Sequence, residues 1–166
     1  ADDYGRGHQA DFARVLNALG GARHKLRQLD QARAAYQQAM TLRESLARAE
    51  PEDAEAGREL SNTIMNLGTI SLQEGDFDSA IRQMRRAQTL RLAHVVDQQV
   101  SRKLRRDLAV GYFNLAAAQL ASFQVSEARP TSAAVAEAEQ NLIRAAEGFA
   151  ELSREAPQEV DPRQRL

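Results

Sequence analysis

Three polar residues in the middle of the chain are spaced so that their side chains would share one face of a helix. Asn62, Asn66 and Thr69 occupy positions i, i+4 and i+7, and residues three or four apart are neighbours on a helix surface. An asparagine side chain offers both a hydrogen-bond donor and an acceptor. A row of asparagines can therefore pair with the backbone of an extended peptide without selecting its sequence. The chemistry that this pattern favours is recognition.

The residues from which enzyme sites are usually built do not converge in this sequence. The 166 residues include no cysteine, which excludes thiolate catalysis, disulfides and cysteine-based metal sites. The three histidines, His8, His24 and His94, are far apart and lack the spacing of metal-ligand pairs. No serine lies in the sequence context of a catalytic nucleophile. We therefore predict that the chain is not an enzyme and has no cofactor and no metal.

Charge and hydropathy exclude two further classes of partner. The formal net charge is −1, and the basic residues between Arg82 and Arg106 spread around their helices instead of forming a stripe. Aromatic residues for base stacking are scarce, at 5%. There is no apolar run of about 18 residues. We predict no nucleic-acid partner and no membrane insertion. The compartment is unknown, with the cytoplasm as the default, and the start at Ala1 indicates a processed product or an excised piece.

The sequence that would position these residues is repeated. Leu19-Gly20 is matched by Leu67-Gly68, at an offset of 67 − 19 = 48. The same offset relates the following pairs: Ala32 and Ala80, Tyr36 and Met84, Ala39 and Ala87, Thr41-Leu42-Arg43 and Thr89-Leu90-Arg91. A third copy starts in register with Asn114 opposite Asn66. It then contains about ten extra residues around Ser122 to Thr131, which we predict to be a loop because they include a proline and several hydroxyl residues.

Each copy has the apolar periodicity of two helices, so we predict six helices and no strands. Between the two helices of the second copy, Gly75 suits the left-handed conformation that ends a helix, and Asp76 suits the cap of the next one. The last predicted helix has the most regular apolar stripe: Val135, Ala138, Leu142, Ala145, Phe149 and Leu152.

These positions resemble the tetratricopeptide repeat. The family pattern has Leu-Gly in the first helix, then a small, a bulky and a small residue in the second. Here Ala80, Met84 and Ala87 match the second part. The usual period of the family is 34 residues, and the longer period is similar to kinesin-light-chain-like members. The chain also resembles repeats appended to some bacterial serine/threonine kinases, although it contains no kinase motif.

The resemblance implies an all-α solenoid of three helix-turn-helix repeats with long helices. We expect one domain over 1–166, with repeats at about 8–51, 53–99 and 101–156 and a tail at 157–166. In such arrays the first helices line the concave face, which implies protein or peptide binding there. The candidate binding residues are Asn17, Asn62, Asn66, Thr69, Gln73 and Asn114. The alternative is that these asparagines only join neighbouring first helices by hydrogen bonds.

A second hypothesis is structural. No polar capping helix follows Leu152, although repeat arrays usually need one. The last helix pair would then associate with a second copy of the chain or pack on the rest of a longer protein. A regulatory segment of a signalling protein, such as a bacterial serine/threonine kinase, is a further alternative.

Overall fold

The described part of the chain folds into six α-helices. The structure is a computed structural model that describes residues 2–93, 95 and 100–155, with only the backbone of residues 2–4. The helices are α1 (Asp2–Lys25), α2 (Leu29–Ala49), α3 (Ala54–Gln73), α4 (Phe77–Ala93), α5 (Arg102–Val125) and α6 (Ser132–Arg154). No strand occurs within these described ranges. The prediction of an all-α array of long helices is confirmed.

The helices are arranged as three antiparallel pairs, α1 with α2, α3 with α4, and α5 with α6. Each pair packs on the next through its second helix, so that α2 contacts α3 and α4 contacts α5. The first helices α3 and α5 also touch. This is the packing of a solenoid, in which each repeat buries its apolar surface against its neighbours.

The close approach within each pair depends on small residues in the first helix. Gly20 lies against the ring of Tyr36, where an added Cβ would come within 2.6 Å of the ring. Gly68 packs on Met84 in the same way, with a distance of 3.0 Å. Tyr36 and Met84 are both buried. In each of the first two repeats, a small residue of the first helix thus contacts a bulky residue of the second helix.

The turns inside the first two repeats share one backbone conformation. Gly75 has φ of 79°, as predicted, and Arg27, which is 75 − 27 = 48 positions earlier, has φ of 61°. The arginine was not predicted to take this conformation, which glycine adopts at lower cost. Asp76 Oδ1 accepts a hydrogen bond of 3.1 Å from the Ser79 amide, which confirms its role as a helix cap.

The inserted segment is only partly a loop, so the prediction for residues 122–131 was wrong in its first half. Helix α5 continues through Val125, and the Ser126 amide still donates to the Ser122 carbonyl. No glycine or proline lies between Gly111 and Pro130 to stop the helix. Thr131 then caps α6 by accepting a hydrogen bond from the Ala134 amide.

The stripe predicted along α6 is divided between two environments. Ala138 and Ala145 are buried against α5, whereas Val135, Leu142 and Phe149 are exposed. The last repeat therefore has one packed and one open apolar side. Among the described helices, none combines the length and the apolar character needed to cross a bilayer.

Candidate functional site

The candidate residues lie on the first helices of the three repeats. We call this surface the first-helix face, and it consists of Asn17 on α1, Asn62, Asn66, Thr69 and Gln73 on α3, and Asn114 on α5. Gln73 is exposed and the other five residues are half-buried. The face is therefore reachable from solvent along the three repeats.

Asn17 joins α1 to α3. Its Oδ1 accepts hydrogen bonds from Thr63 Oγ1 at 3.2 Å and from Asn66 Nδ2 at 3.4 Å. The Oδ1 atom of Asn66 has no hydrogen bond within the described part of the chain. Asn66 therefore keeps an acceptor for a ligand, whereas the acceptor of Asn17 is used between the repeats.

Three other members of the first-helix face also have partners inside the molecule. Asn62 Oδ1 accepts a hydrogen bond of 2.8 Å from Arg91 Nη2. Thr69 donates to the carbonyl of Met65, in its own helix, at 3.1 Å. The side chain of Gln73 is hydrogen-bonded to His24 at 2.9 Å through its Oε1.

Asn114 differs from the rest, because its side chain makes no hydrogen bond to any residue that the structure describes. It lies 114 − 66 = 48 positions after Asn66, at the equivalent place in the next repeat. Asn66 and Asn114 are thus two side-chain amides at equivalent positions, and the NH₂ group of Asn114 and the Oδ1 atoms of both residues have no hydrogen bond within the described residues.

Two buried arginines connect successive repeats and were not predicted as a structural feature. Arg91 Nη1 donates to the Asp107 carbonyl at 2.7 Å, and Arg91 Nε donates to Ser61 Oγ at 3.2 Å. Arg43 makes the equivalent contact one repeat earlier, where its Nη1 donates to the Glu59 carbonyl at 2.9 Å. Burial lowers the pKa of both guanidinium groups, but arginine stays protonated at any physiological pH.

This pair of contacts is periodic, because Arg43 and Arg91 are 48 positions apart and so are Glu59 and Asp107. The matched Thr-Leu-Arg segments were visible in the sequence. The sequence signal that would have identified the two buried arginines is a charged residue that recurs on an otherwise apolar helix face. We call these contacts the arginine joints.

An ion-pair network supplements the second arginine joint. Arg58 binds Glu55 at 2.6 Å within α3 and Asp107 of α5 at 3.2 Å, and Lys103 of α5 lies 3.4 Å from Glu55. The hydrogen bond from Arg58 is the largest cause that lowers the pKa of Glu55, to about 2 from an ordinary value of 4.5. The charged form of Glu55 therefore stabilises the folded protein.

Replacing Glu55 with glutamine should slightly reduce stability at neutral pH and have less effect in acid. Because the folded pKa of Glu55 lies below its unfolded value, its contribution is complete above about pH 4.5 and is lost as the pH falls toward 2. More than half of the Glu55 side chain is exposed, so the loss at pH 7 should be about 1 kcal/mol or less. Urea unfolding at pH 7, 4 and 2.5 measures the difference in the free energy of unfolding between the wild type and the variant.

Glu52→Gln is the matched control for this titration, since Glu52 is exposed in the preceding turn and makes no ion pair within the described residues. The wild type and the Glu55→Gln variant should converge as the pH falls, while the control stays parallel to the wild type. A difference that is constant from pH 7 to 2.5 would contradict the assignment.

Groups of histidine, cysteine, aspartate or glutamate suited to hold a metal ion do not occur among the described residues. His24 is bonded to Gln73, as described above, and His94 lies outside the described residues. The first-helix face consists of neutral amide and hydroxyl groups, which can accept and donate hydrogen bonds but supply no acid, base or nucleophile.

Comparison with known proteins agrees with this geometry. The family model of the tetratricopeptide repeat matches residues 13–46 and 61–94. The crystal structure of BtubC (BKLC) from P. vanneervenii has a similar fold, with a TM-score of 0.62 and 21% sequence identity. The similarity covers 85% of this chain and 48% of BtubC, so the chain spans about half the length of that protein. No curated protein matches significantly.

Proposed function

Because the chain is a tetratricopeptide-repeat protein, we propose that it binds a protein partner and that its first-helix face receives an extended peptide. Tetratricopeptide repeats generally mediate protein–protein interaction and are generally not catalytic. The observation that supports this site is the register of Asn66 and Asn114, whose side chains keep unused hydrogen-bonding groups at equivalent positions of two consecutive repeats.

The members of the first-helix face have different roles in this proposal. Asn17 and Asn62 stabilise the array, because the acceptor of Asn17 is occupied by the neighbouring repeat and that of Asn62 by the second helix of its own repeat. Asn66 and Asn114 contact the backbone of the peptide. The half-buried residues Val110 and Ala117 on α5 flank Asn114 and give the peptide side chains an apolar floor.

A phage-displayed library of random dodecamer peptides tests the proposal with a defined probe. Peptides selected on the wild-type chain should bind the Asn66→Ala, Asn114→Ala double variant at least about tenfold more weakly, a loss of about 1.4 kcal/mol. This loss corresponds to one or two hydrogen bonds. Isothermal titration calorimetry measures the dissociation constants.

The matched control is the double variant Gln38→Ala, Gln140→Ala, which removes two exposed amides from the second helices α2 and α6. It should bind the same peptides as tightly as the wild type does. Equal affinity of all three proteins, or a greater loss in the control, would exclude the first-helix face.

A second candidate function is self-association through the C-terminal helix pair or packing of this pair on the rest of a longer protein. The exposed side chains of Leu142 and Phe149 favour it, because large apolar patches on a protein surface usually mark an interaction site. The alternative of a regulatory segment of a kinase-type signalling protein rests on sequence resemblance alone and stays a prediction.

A further inference from the structure

Both ends of the described array have large apolar side chains that no neighbouring repeat covers. The N-terminal face consists of exposed residues on α1, which are Phe12, Val15 and Leu19. The C-terminal face consists of exposed residues on α5 and α6, which are Phe113, Leu120, Leu142 and Phe149. The two faces lie at opposite ends of the array, because α1 belongs to the first repeat and α6 to the third.

The N-terminal face occupies the positions that later first helices bury against the preceding repeat. Leu19, Leu67 and Leu115 are successive equivalents, each 48 positions after the last. Leu67 and Leu115 are 2% and 4% exposed, whereas Leu19 is 44% exposed. Leu19 thus has the side chain of a packed residue, but no repeat of the described chain packs on it.

The α6 residues of the C-terminal face occupy the positions that earlier second helices bury against the following repeat. Met84 is fully buried in the cluster that includes Leu115. Its equivalent in the third repeat is Leu142, at an offset of 142 − 84 = 58 that includes the insertion, and Leu142 is 38% exposed. A following first helix would cover Leu142 as α5 covers Met84.

The charges of the two ends also correspond. At the joint between α3 and α5, Arg58 binds Asp107 at 3.2 Å. Arg106 is 48 positions after Arg58 and has no carboxylate partner within the described residues. Asp11 is two periods of 48 before Asp107 and is exposed on α1. A first helix seated on the C-terminal face in the register of α5 would bring Asp11 of one copy to Arg106 of the other.

The side chains at the closest approach are also compatible. Gly111 is needed where α5 meets α4, because a Cβ at this position would collide with Gln88 and Arg91. Their equivalents on α6 are Ala146 and Phe149, and the smaller alanine leaves room for a larger residue in the approaching helix. The equivalent of Gly111 on α1 is Val15, which is larger.

We propose that the C-terminal face binds α1 of a second copy of the chain, head to tail, with Leu19 on Leu142 and Asp11 beside Arg106. This head-to-tail contact specifies the geometry of self-association, which is the second candidate function. It does not depend on peptide binding at the first-helix face. The two contacting surfaces differ, so each copy keeps one free end and association continues beyond the dimer or closes into a ring.

Sedimentation velocity on variants with one face blocked tests the proposal. Leu19→Glu blocks only the N-terminal face and Phe149→Glu blocks only the C-terminal face. The wild type should show an average mass that rises with concentration beyond that of a dimer. Each variant alone should be monomeric, and an equimolar mixture should form a 1:1 dimer that does not grow, because one intact face of each kind remains.

Several results would overturn the proposal. One such result is a wild type that stays monomeric up to about 1 mM, which corresponds to a binding free energy of only about −4 kcal/mol. The two faces would then bind something other than a second copy of the chain. A dimer of Leu19→Glu would indicate symmetric pairing of two C-terminal faces, and a dimer of Phe149→Glu would indicate pairing of two N-terminal faces. Circular dichroism of each variant confirms that the helices are retained.

A charge exchange tests the register. Asp11→Arg and Arg106→Asp should each raise the dissociation constant of the contact by about tenfold through like-charge repulsion. Combining the two substitutions in one chain should restore most of the loss. Failure of the double variant to recover, with the single variants impaired, would contradict the proposed pairing of Asp11 with Arg106.

Discussion

Replacing Arg91 with methionine should lower the free energy of unfolding by about 2–3 kcal/mol and should loosen the third repeat before the others. Methionine fills a similar volume but cannot donate hydrogen bonds, so the Oδ1 of Asn62 loses its donor and the carbonyl of Asp107 keeps only its bond within helix α5. Leaving a buried acceptor without a partner costs about 1–3 kcal/mol. Urea unfolding gives the total loss.

Native-state hydrogen exchange identifies where the loss acts. Because stability in repeat arrays depends on the interfaces between neighbours, amides of α5 and α6 should exchange faster while those of α1 and α2 stay protected. Arg86→Met is the control, since Arg86 is half exposed and binds, among the described residues, only Glu44, at 2.6 Å, which predicts a loss below about 1 kcal/mol. Equal losses in the two variants would contradict the role of the arginine joint.

Replacing Met84 with alanine should cost about 2–5 kcal/mol, the range for a large residue removed from a packed core. Met84 is 0% exposed and lies between Gly68 of its own repeat and the cluster shared with α5. The substitution opens a cavity where α4 packs both on α3 of its own repeat and on α5 of the next repeat. Thermal and urea unfolding measure the change.

Leu142→Ala is the matched control for Met84→Ala, because both residues occupy the same repeat position. Leu142 is partly exposed and no following repeat covers it within the described chain, so the cost should be about 1 kcal/mol. At protein concentrations that permit head-to-tail association, the cost at Leu142 should increase. A loss at Leu142 as large as that at Met84 in dilute solution would show that the C-terminal face is already packed.

Much of the fold could be predicted from the 48-residue period. The period pairs Gly20 with Gly68 and Tyr36 with Met84, since equivalent residues must meet the same neighbours in each repeat. It did not predict that Arg27 takes the conformation of Gly75, because nothing about an arginine marks a positive φ. The extension of α5 through Val125 was also missed, since hydroxyl residues near a proline are compatible with either a loop or a last helical turn.

The first-helix face could be predicted only as a set of residues that share one side of a helix. The spacing of Asn62, Asn66 and Thr69 located that side, but it could not show which amides already have partners. Asn62 is engaged by Arg91, which is 29 residues away in sequence, and this contact depends on how the two helices of the repeat pack. The arginine joints were missed although Arg43 and Arg91 recur at the 48-residue offset, because the recurrence was not related to the apolar face on which the two arginines lie.

Side-chain amide resonances provide the most direct test of the proposed peptide site. A selected peptide should be titrated into the labelled chain while the NH₂ signals of all asparagine and glutamine residues are followed. We expect the signals of Asn66 and Asn114 to shift most and to saturate together, while those of Gln38 and Gln140 do not move. Saturable shifts confined to Gln38, Gln140 or other residues of the second helices, with Asn66 and Asn114 unchanged, would contradict the proposed peptide site.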